Sequence, residues 1–253
     1  MKNRDIKWPA WASPFLLAVI ITGLNAWKPP HADDFSYLTY AREFAAHPTA
    51  PYEFNFGSPF AGPANATLVP PVLPAWLALG ISFWGDDLIV LKSWLFPFAW
   101  LLSAAVAALY GRFAPRLREP LTWFTVLSPG ILPSFNFMLD VPVLGLQLTA
   151  LTLTMKACDR GRWRWLIAAG LVIGLALQTK YTAFAAFAAM VLWCLQARRP
   201  LFAATVFLLG FGVFVGWELF IAFRHGDSHF LLSFAQRSDR VLLPCFQALG
   251  RAT

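Results

Sequence analysis

An all-α, polytopic membrane helical bundle is the fold this sequence predicts, on three observations. Apolar residues make up 58% of the 253 and charged residues only 13%, where a water-soluble chain carries roughly a quarter charged. Apolar stretches of near-spanning length follow one another along the chain, with a mean hydropathy of +0.57. Lys and Arg gather in short clusters between those stretches. With 24 Phe and 12 Trp, too little polar side chain remains to coat a water-soluble globule. The formal charge of +7 then reports orientation rather than a polyanion partner, and no nucleic acid is expected. Cys158, Cys194 and Cys245 stand far apart, with neither disulfide-framework nor zinc spacing.

A helix crossing roughly 30 Å of hydrocarbon needs about 20 mostly apolar residues. Candidate stretches are 9–27, 68–84, 88–110, 120–137, 141–156, 165–179, 181–196 and 201–223. The first follows Lys2, Arg4 and Lys7 and lacks a small-x-small cleavage site, so it reads as an uncleaved span. The other basic clusters are Arg112–Arg116–Arg118, Lys156–Arg160–Arg162–Arg164 and Arg198–Arg199. The positive-inside rule places all four clusters, the N-terminal one included, in the cytoplasm. Consecutive cytoplasmic clusters need an even number of crossings between them. Three candidates lie between Lys7 and Arg112, so one is not a crossing.

The stretch to demote is 68–84, with Pro70, Pro71 and Pro74 and an end at Gly85-Asp86-Asp87. It is expected to lie in the interface or to dip part way, its backbone satisfied by neighbouring protein. About seven crossings remain in a module over 1–224, with a first outer loop at 28–87 and a second near 138–142. Residues 225–253 are expected to form an outer tail ending at a truncation point. The expected location is the inner (plasma) membrane.

This parity puts Asp33, Asp34, Glu43, Glu53, Asp86, Asp87, Asp140 and Lys180 on one outer face. The first outer loop opens on His31-Ala-Asp33-Asp34, and apolar residues then recur at Phe35, Leu38, Ala41 and Phe44. That spacing predicts a short amphipathic helix along the membrane surface. The plain reading of Asp33 and Asp34 is that they cap this helix. Asp140, just ahead of Pro142, reads equally as a cap, although acids near membrane depth are costly and often functional. Lys180 and Lys92 are long enough to snorkel to the interface or to neutralise a phosphate. Glu218 is an intramembrane acid without an evident partner. Carboxylates facing lysines at one boundary suit group transfer, in which an acid deprotonates an acceptor while a cation offsets charge on a phosphate leaving group.

On these residues the chain resembles the GT-C superfamily of membrane glycosyltransferases. The resemblance is strongest to the branch of lipid A aminoarabinose transferases and protein O-mannosyltransferases. It is carried by Asp33-Asp34-Phe-Ser-Tyr37, Ala41-Arg42-Glu43, Val69-Pro70-Pro71 through Trp84-Gly85, Lys92, Asp140-Val-Pro142 and Gly174-Leu-Ala-Leu-Gln-Thr-Lys180. Val69 stands where a lysine often precedes the Pro-Pro pair. The resemblance implies a polyprenyl-phosphate sugar as donor, a lipid, glycan or protein acceptor that is not identified, and contact with membrane lipids. It implies Asp33 as catalytic base, with Asp34 and Asp140 shaping the site, and leaves open a divalent metal ion held by Asp33 and Asp140. Lys180 and Lys92 would contact the donor phosphate, with Tyr37 and Glu53 also binding substrate. The expected activity is sugar transfer at the extracytoplasmic face. The alternatives are a non-catalytic transporter or flippase-like protein, or an inactive fragment of a glycosyltransferase.

Overall fold

A computed structural model of the chain describes residues 9–56, 62–66, 69–232 and 234–235. Lys2, Arg4, Lys7, Cys245 and most of the expected outer tail lie outside the described residues. Among the described residues the protein is helical apart from turns and one short strand pair, β1 (Asn55–Phe56) against antiparallel β2 (Gly62–Pro63).

The helices are α1 (Ala12–Ala26), α2 (Ala32–Ala46), α3 (Val72–Trp84), α4 (Leu88–Ser93), α5 (Phe96–Phe113), α6 (Arg118–Val126), α7 (Asp140–Arg160), α8 (Trp163–Leu177), α9 (Phe184–Gln196) and α10 (Pro200–His225). Among the described residues, Leu88–Phe113, Asp140–Arg160 and Pro200–His225 are long and apolar enough to cross a membrane. Ala12–Ala26, Val72–Trp84, Trp163–Leu177 and Tyr181–Gln196 are shorter apolar helices. The break between α4 and α5 follows from Pro97, which has no amide to return to the Ser93 carbonyl.

Two segments differ from a simple series of spans. The stretch 120–137 is helical only to Val126 and continues to 139 as turns. Ser128-Pro129-Gly130 and Pro133 end the helix, since each proline removes a donor and disfavours α geometry in the residue before it. Helix α3, at 13 residues, is about 20 Å long at 1.5 Å per residue, short of an upright crossing. Its main neighbour is α2, where Leu38, Ala41 and Phe44 are buried but Phe35 is exposed and Asp34 is not, so the expected amphipathic stripe is only partial. Helix α3 is also pinned to the α4–α5 break by Trp76 and Trp94, whose rings stack 5.0 Å apart. Each indole donates to the other's carbonyl at 2.9 Å.

Helices α7 to α10 alternate in direction, so that α8 packs parallel to α10, as α5 does to α7, and α1 packs against α5. Between apolar helices in lipid, close van der Waals contact replaces the hydrophobic driving force, and small residues permit it. Gly170 and Gly174 of α8 serve this purpose. A Cβ on Gly174 would lie 2.6 Å from the Cβ of Val213, and one on Gly170 2.7 Å from that of Leu209, both on α10. A second apolar cluster gathers Tyr40, Phe44, Tyr52, Val69 and Ile221. There Tyr40 donates to the Ala64 carbonyl and Tyr52 to that of Val69, each at 2.8 Å, tying the loop after α2 to α3 and α10.

The alternation gives the bundle two chemically distinct ends. At one, Arg112 pairs with Asp159, and Arg118 donates to the Ala10 and Ala107 carbonyls. At the other lie the start of α2, the start of α7 and the segment after α8, carrying Asp33, Asp34, Asp140 and Lys180.

Candidate functional site

The acidic end is built from three elements. Helix α2 begins after His31, whose extended backbone leaves the first amides of the helix free. Asp34 answers in a reciprocal cap: its Oδ2 accepts the His31 amide at 2.5 Å, and the Asp34 amide donates to the His31 carbonyl at 3.0 Å. The capping role is therefore real for Asp34, which is fully buried. Burial raises its carboxyl above the ordinary range, against the opposing pull of the His31 amide and the Lys92 ammonium. Asp33, one residue earlier on the same turn, is exposed, and its carboxylate accepts no hydrogen bond among the described residues.

Asp140 is the first residue of α7, one position inside the cap at Leu139. Its Oδ1 receives the Lys180 ammonium at 2.5 Å, with both side chains a little over one-third exposed. Lys180 leaves α8 in extended backbone ahead of a single 3-10 turn, which turns its side chain toward α7. One turn into α2, the Tyr37 phenol is pushed up to about 12 by burial and by Asp33, Asp140 and Asp34. Asp33, Asp34, Asp140, Tyr37 and Lys180 thus meet in one electrostatic neighbourhood, although they come from positions as distant as 33 and 180.

Two expected members take other roles. Lys92 is 1% exposed; its ammonium donates to the Lys28 carbonyl and lies 5.7 Å from the centre of the Phe137 ring. It clamps the loop after α6 to the end of α1 from beneath the site, where it also acts on the Asp34 carboxylate. Glu53 pairs with Arg224 at the end of α10, at 2.7 Å, and Arg224 also donates to the Thr49 carbonyl at 2.6 Å. Its place is a strap between the α2–α3 loop and α10.

Other residues at this end carried no sequence signal for their role. Lys28 donates to the Leu132 carbonyl and, at 3.3 Å, to that of Phe135, completing the clamp on the loop. Burial lowers its pKa from the lysine norm, and Asp34 opposes that shift. Glu218, buried in α10, accepts from Tyr181 at 3.1 Å, from the Ser228 hydroxyl at 2.7 Å and from the Phe230 amide at 3.0 Å. The segment after α10 is folded back onto this carboxylate. Within it, His229 is 2% exposed, with its ring 4.6 Å from that of Tyr52, and burial holds its pKa down to about 4.

The donor set fits a resident metal poorly. Among the described residues no three His, Cys, Asp or Glu side chains are grouped to share an ion. Asp140 already faces an ammonium where a cation would bind.

Beside this cluster runs an apolar cleft of about 720 Å³, lined by α2 and its following loop, α3, α8 and α10. Val72, Gln178, Gly216 and Trp217 are among its walls. The Val72 amide donates to the Gln178 carbonyl at 3.2 Å, which brings the cleft to within two residues of Lys180. Its volume is within the range of roughly 300–1,000 Å³ typical of small-molecule sites.

No curated protein and no solved structure gives a significant match. Residues 69–221 match the family described as dolichyl-phosphate-mannose-protein mannosyltransferase. The matched segment contains Lys92, Asp140, Lys180 and Glu218 and begins after Asp33, Asp34, Tyr37 and Glu53. It spans well over half of the chain, which carries apolar membrane helices, a charged cluster at one end of the bundle and an apolar cleft: the protein belongs to this family of GT-C membrane glycosyltransferases, enzymes that take their sugar from a polyprenyl-phosphate carrier.

Proposed function

We propose that the acidic end of the bundle is the transfer site, and that it faces the extracytoplasmic side of the plasma membrane. The observation that carries the reading is that Asp33, Asp34 and Asp140 gather around Tyr37, while Asp140 holds the part-exposed Lys180 in an ion pair. The apolar cleft holds the polyprenyl tail with the donor phosphate at Lys180. Asp33, exposed and without a hydrogen-bonding partner among the described residues, takes the proton from the acceptor hydroxyl. The acceptor oxygen bonds to the anomeric carbon as the bond from that carbon to the phosphate oxygen breaks. Polyprenyl phosphate departs with its charge offset by Lys180. Asp140 orients the Lys180 ammonium, and Asp34 holds the turn that presents Asp33. Positive clusters at the opposite end support the orientation.

The test is release of polyprenyl phosphate and glycosylated product from a polyprenyl-phosphate hexose supplied to membranes containing the protein. Asp33→Asn is expected to cut transfer by roughly 10²–10⁴-fold, the usual range for a general base, with membrane insertion unchanged. Unaltered transfer by that variant removes Asp33 from the base role. Absence of transfer by the wild-type chain overturns the catalytic reading.

A further inference from the structure

A second concavity lies at the far end of the bundle from the transfer site. It has a volume of about 300 Å³ and sits between α5 and α7, lined by Ala108, Leu109, Arg112, Thr152, Leu153, Met155, Lys156, Asp159 and Arg160. Three cations and one acid therefore ring a partly apolar hollow. The acid is spoken for: both Asp159 oxygens receive the Arg112 guanidinium, the longer contact at 3.1 Å. Lys156 and Arg160 have no carboxylate partner among the described residues. The Lys156 ammonium rests 3.8 Å from the centre of the Trp165 ring, with Arg160 and Arg164 both acting on it.

Cations near helix C-termini complement the dipole wherever they point. What sets Lys156 and Arg160 apart is that they share a face of α7 at i and i+4 and open into one hollow. Like charges at that spacing repel, so the arrangement is stabilised by an anion placed between them. The hollow is at the end of membrane helices, where headgroups lie, and Leu109, Leu153 and Met155 give it an apolar wall. A soluble anion uses the two charges alone; a phospholipid uses the wall as well.

We infer that the hollow between α5 and α7 binds the phosphate headgroup of an anionic phospholipid through Lys156 and Arg160. The bound lipid bridges the two helices at the basic end and leaves the Arg112–Asp159 pair in place. Basic pockets between membrane helices are an established setting for such headgroups.

Native mass spectrometry of the purified full chain tests this, with phosphatidylglycerol, phosphatidylcholine and inorganic phosphate as probes. Phosphatidylglycerol is expected to bind roughly 10-fold or more tighter than phosphatidylcholine, given two cations at the headgroup that have no carboxylate partner among the described residues. The double variant Lys156→Gln/Arg160→Gln is expected to bring the two lipids level, while Arg116→Gln, an exposed cation at the same end but outside the hollow, preserves the difference. Equal binding of the two lipids by the wild type overturns the inference, as does an equal loss on Arg116→Gln. Displacement of phosphatidylglycerol by inorganic phosphate at matched concentration identifies a soluble anion as the ligand and overturns it too. If the double variant does not fold, the wild-type comparison and the phosphate competition still decide.

Discussion

Lys180 and Asp140 separate chemistry from stability at single-residue resolution. Their ion pair is partly solvated, and such pairs contribute about 1 kcal/mol or less to folding. Lys180→Met is therefore expected to leave thermal unfolding almost unchanged while lowering sugar transfer by about 10²-fold or more, the scale of losing one charge-stabilising group. Asp34 and His229 act on stability with opposite signs. Asp34 has a raised carboxyl pKa in the fold, so the folded protein binds more protons than the unfolded chain. The stability it contributes is present in acid and is lost as pH rises from the unfolded carboxylate value through the folded one. Asp34→Asn keeps an acceptor for the His31 amide and is expected to remove that decline, read from unfolding temperatures across the acid range. His229 is depressed from 6.5 to about 4, so its contribution is intact at neutral pH and is lost as pH falls through that window. His229→Gln is expected to flatten this acid loss. Both differences are measured against wild type at each pH. The sequence marked Asp33, Asp140 and Lys180 because acids and lysines stand out beside apolar helices. It could not rank Lys92 against Lys28, since each spends its ammonium on carbonyls more than 60 positions away or on the clamped loop.

At the level of elements, hydrophobic run length located the helices well. The stretches 88–110, 141–156 and 201–223 correspond to Leu88–Phe113, Asp140–Arg160 and Pro200–His225, because the ends of an apolar run and the start of polar backbone partners coincide. The run 120–137 misled for the complementary reason. Its side chains are apolar enough, but Pro129 and Pro133 deny the backbone donors a helix requires, so the segment turns after Val126 and depends on Lys28 for its anchorage. The α8–α10 seam was equally hidden, since a glycine four residues from another acquires meaning only when a partner helix is opposite. Gly174→Ala places a methyl 2.6 Å from Val213 and is expected to cost about 1–3 kcal/mol, the usual range for overpacking. A marked fall in unfolding temperature checks it. Alanine at Gly23, which meets nothing within 4 Å, is the matched control.

For the molecule as a whole, the two chemically opposed ends lead to a prediction about orientation. In a Cys245→Ser background, where Cys158 and Cys194 are buried, single cysteines at His47 and Gln196 report the two ends. The first is expected to react with a membrane-impermeant thiol reagent from outside sealed cells and the second only after the membrane is opened. Reversal of that pattern would place the transfer site in the cytoplasm. The Asp140–Lys180 contact has a further meaning for how the helices stay assembled. Asp140 opens α7 and Lys180 follows α8, so the pair closes the end of the α7–α8 hairpin that lies opposite its turn at Gly161. The chain connection holds the hairpin at one end only, and this contact is a latch on the other. Because a latch needs both parts, removing either group alone should loosen that end about as much as removing both.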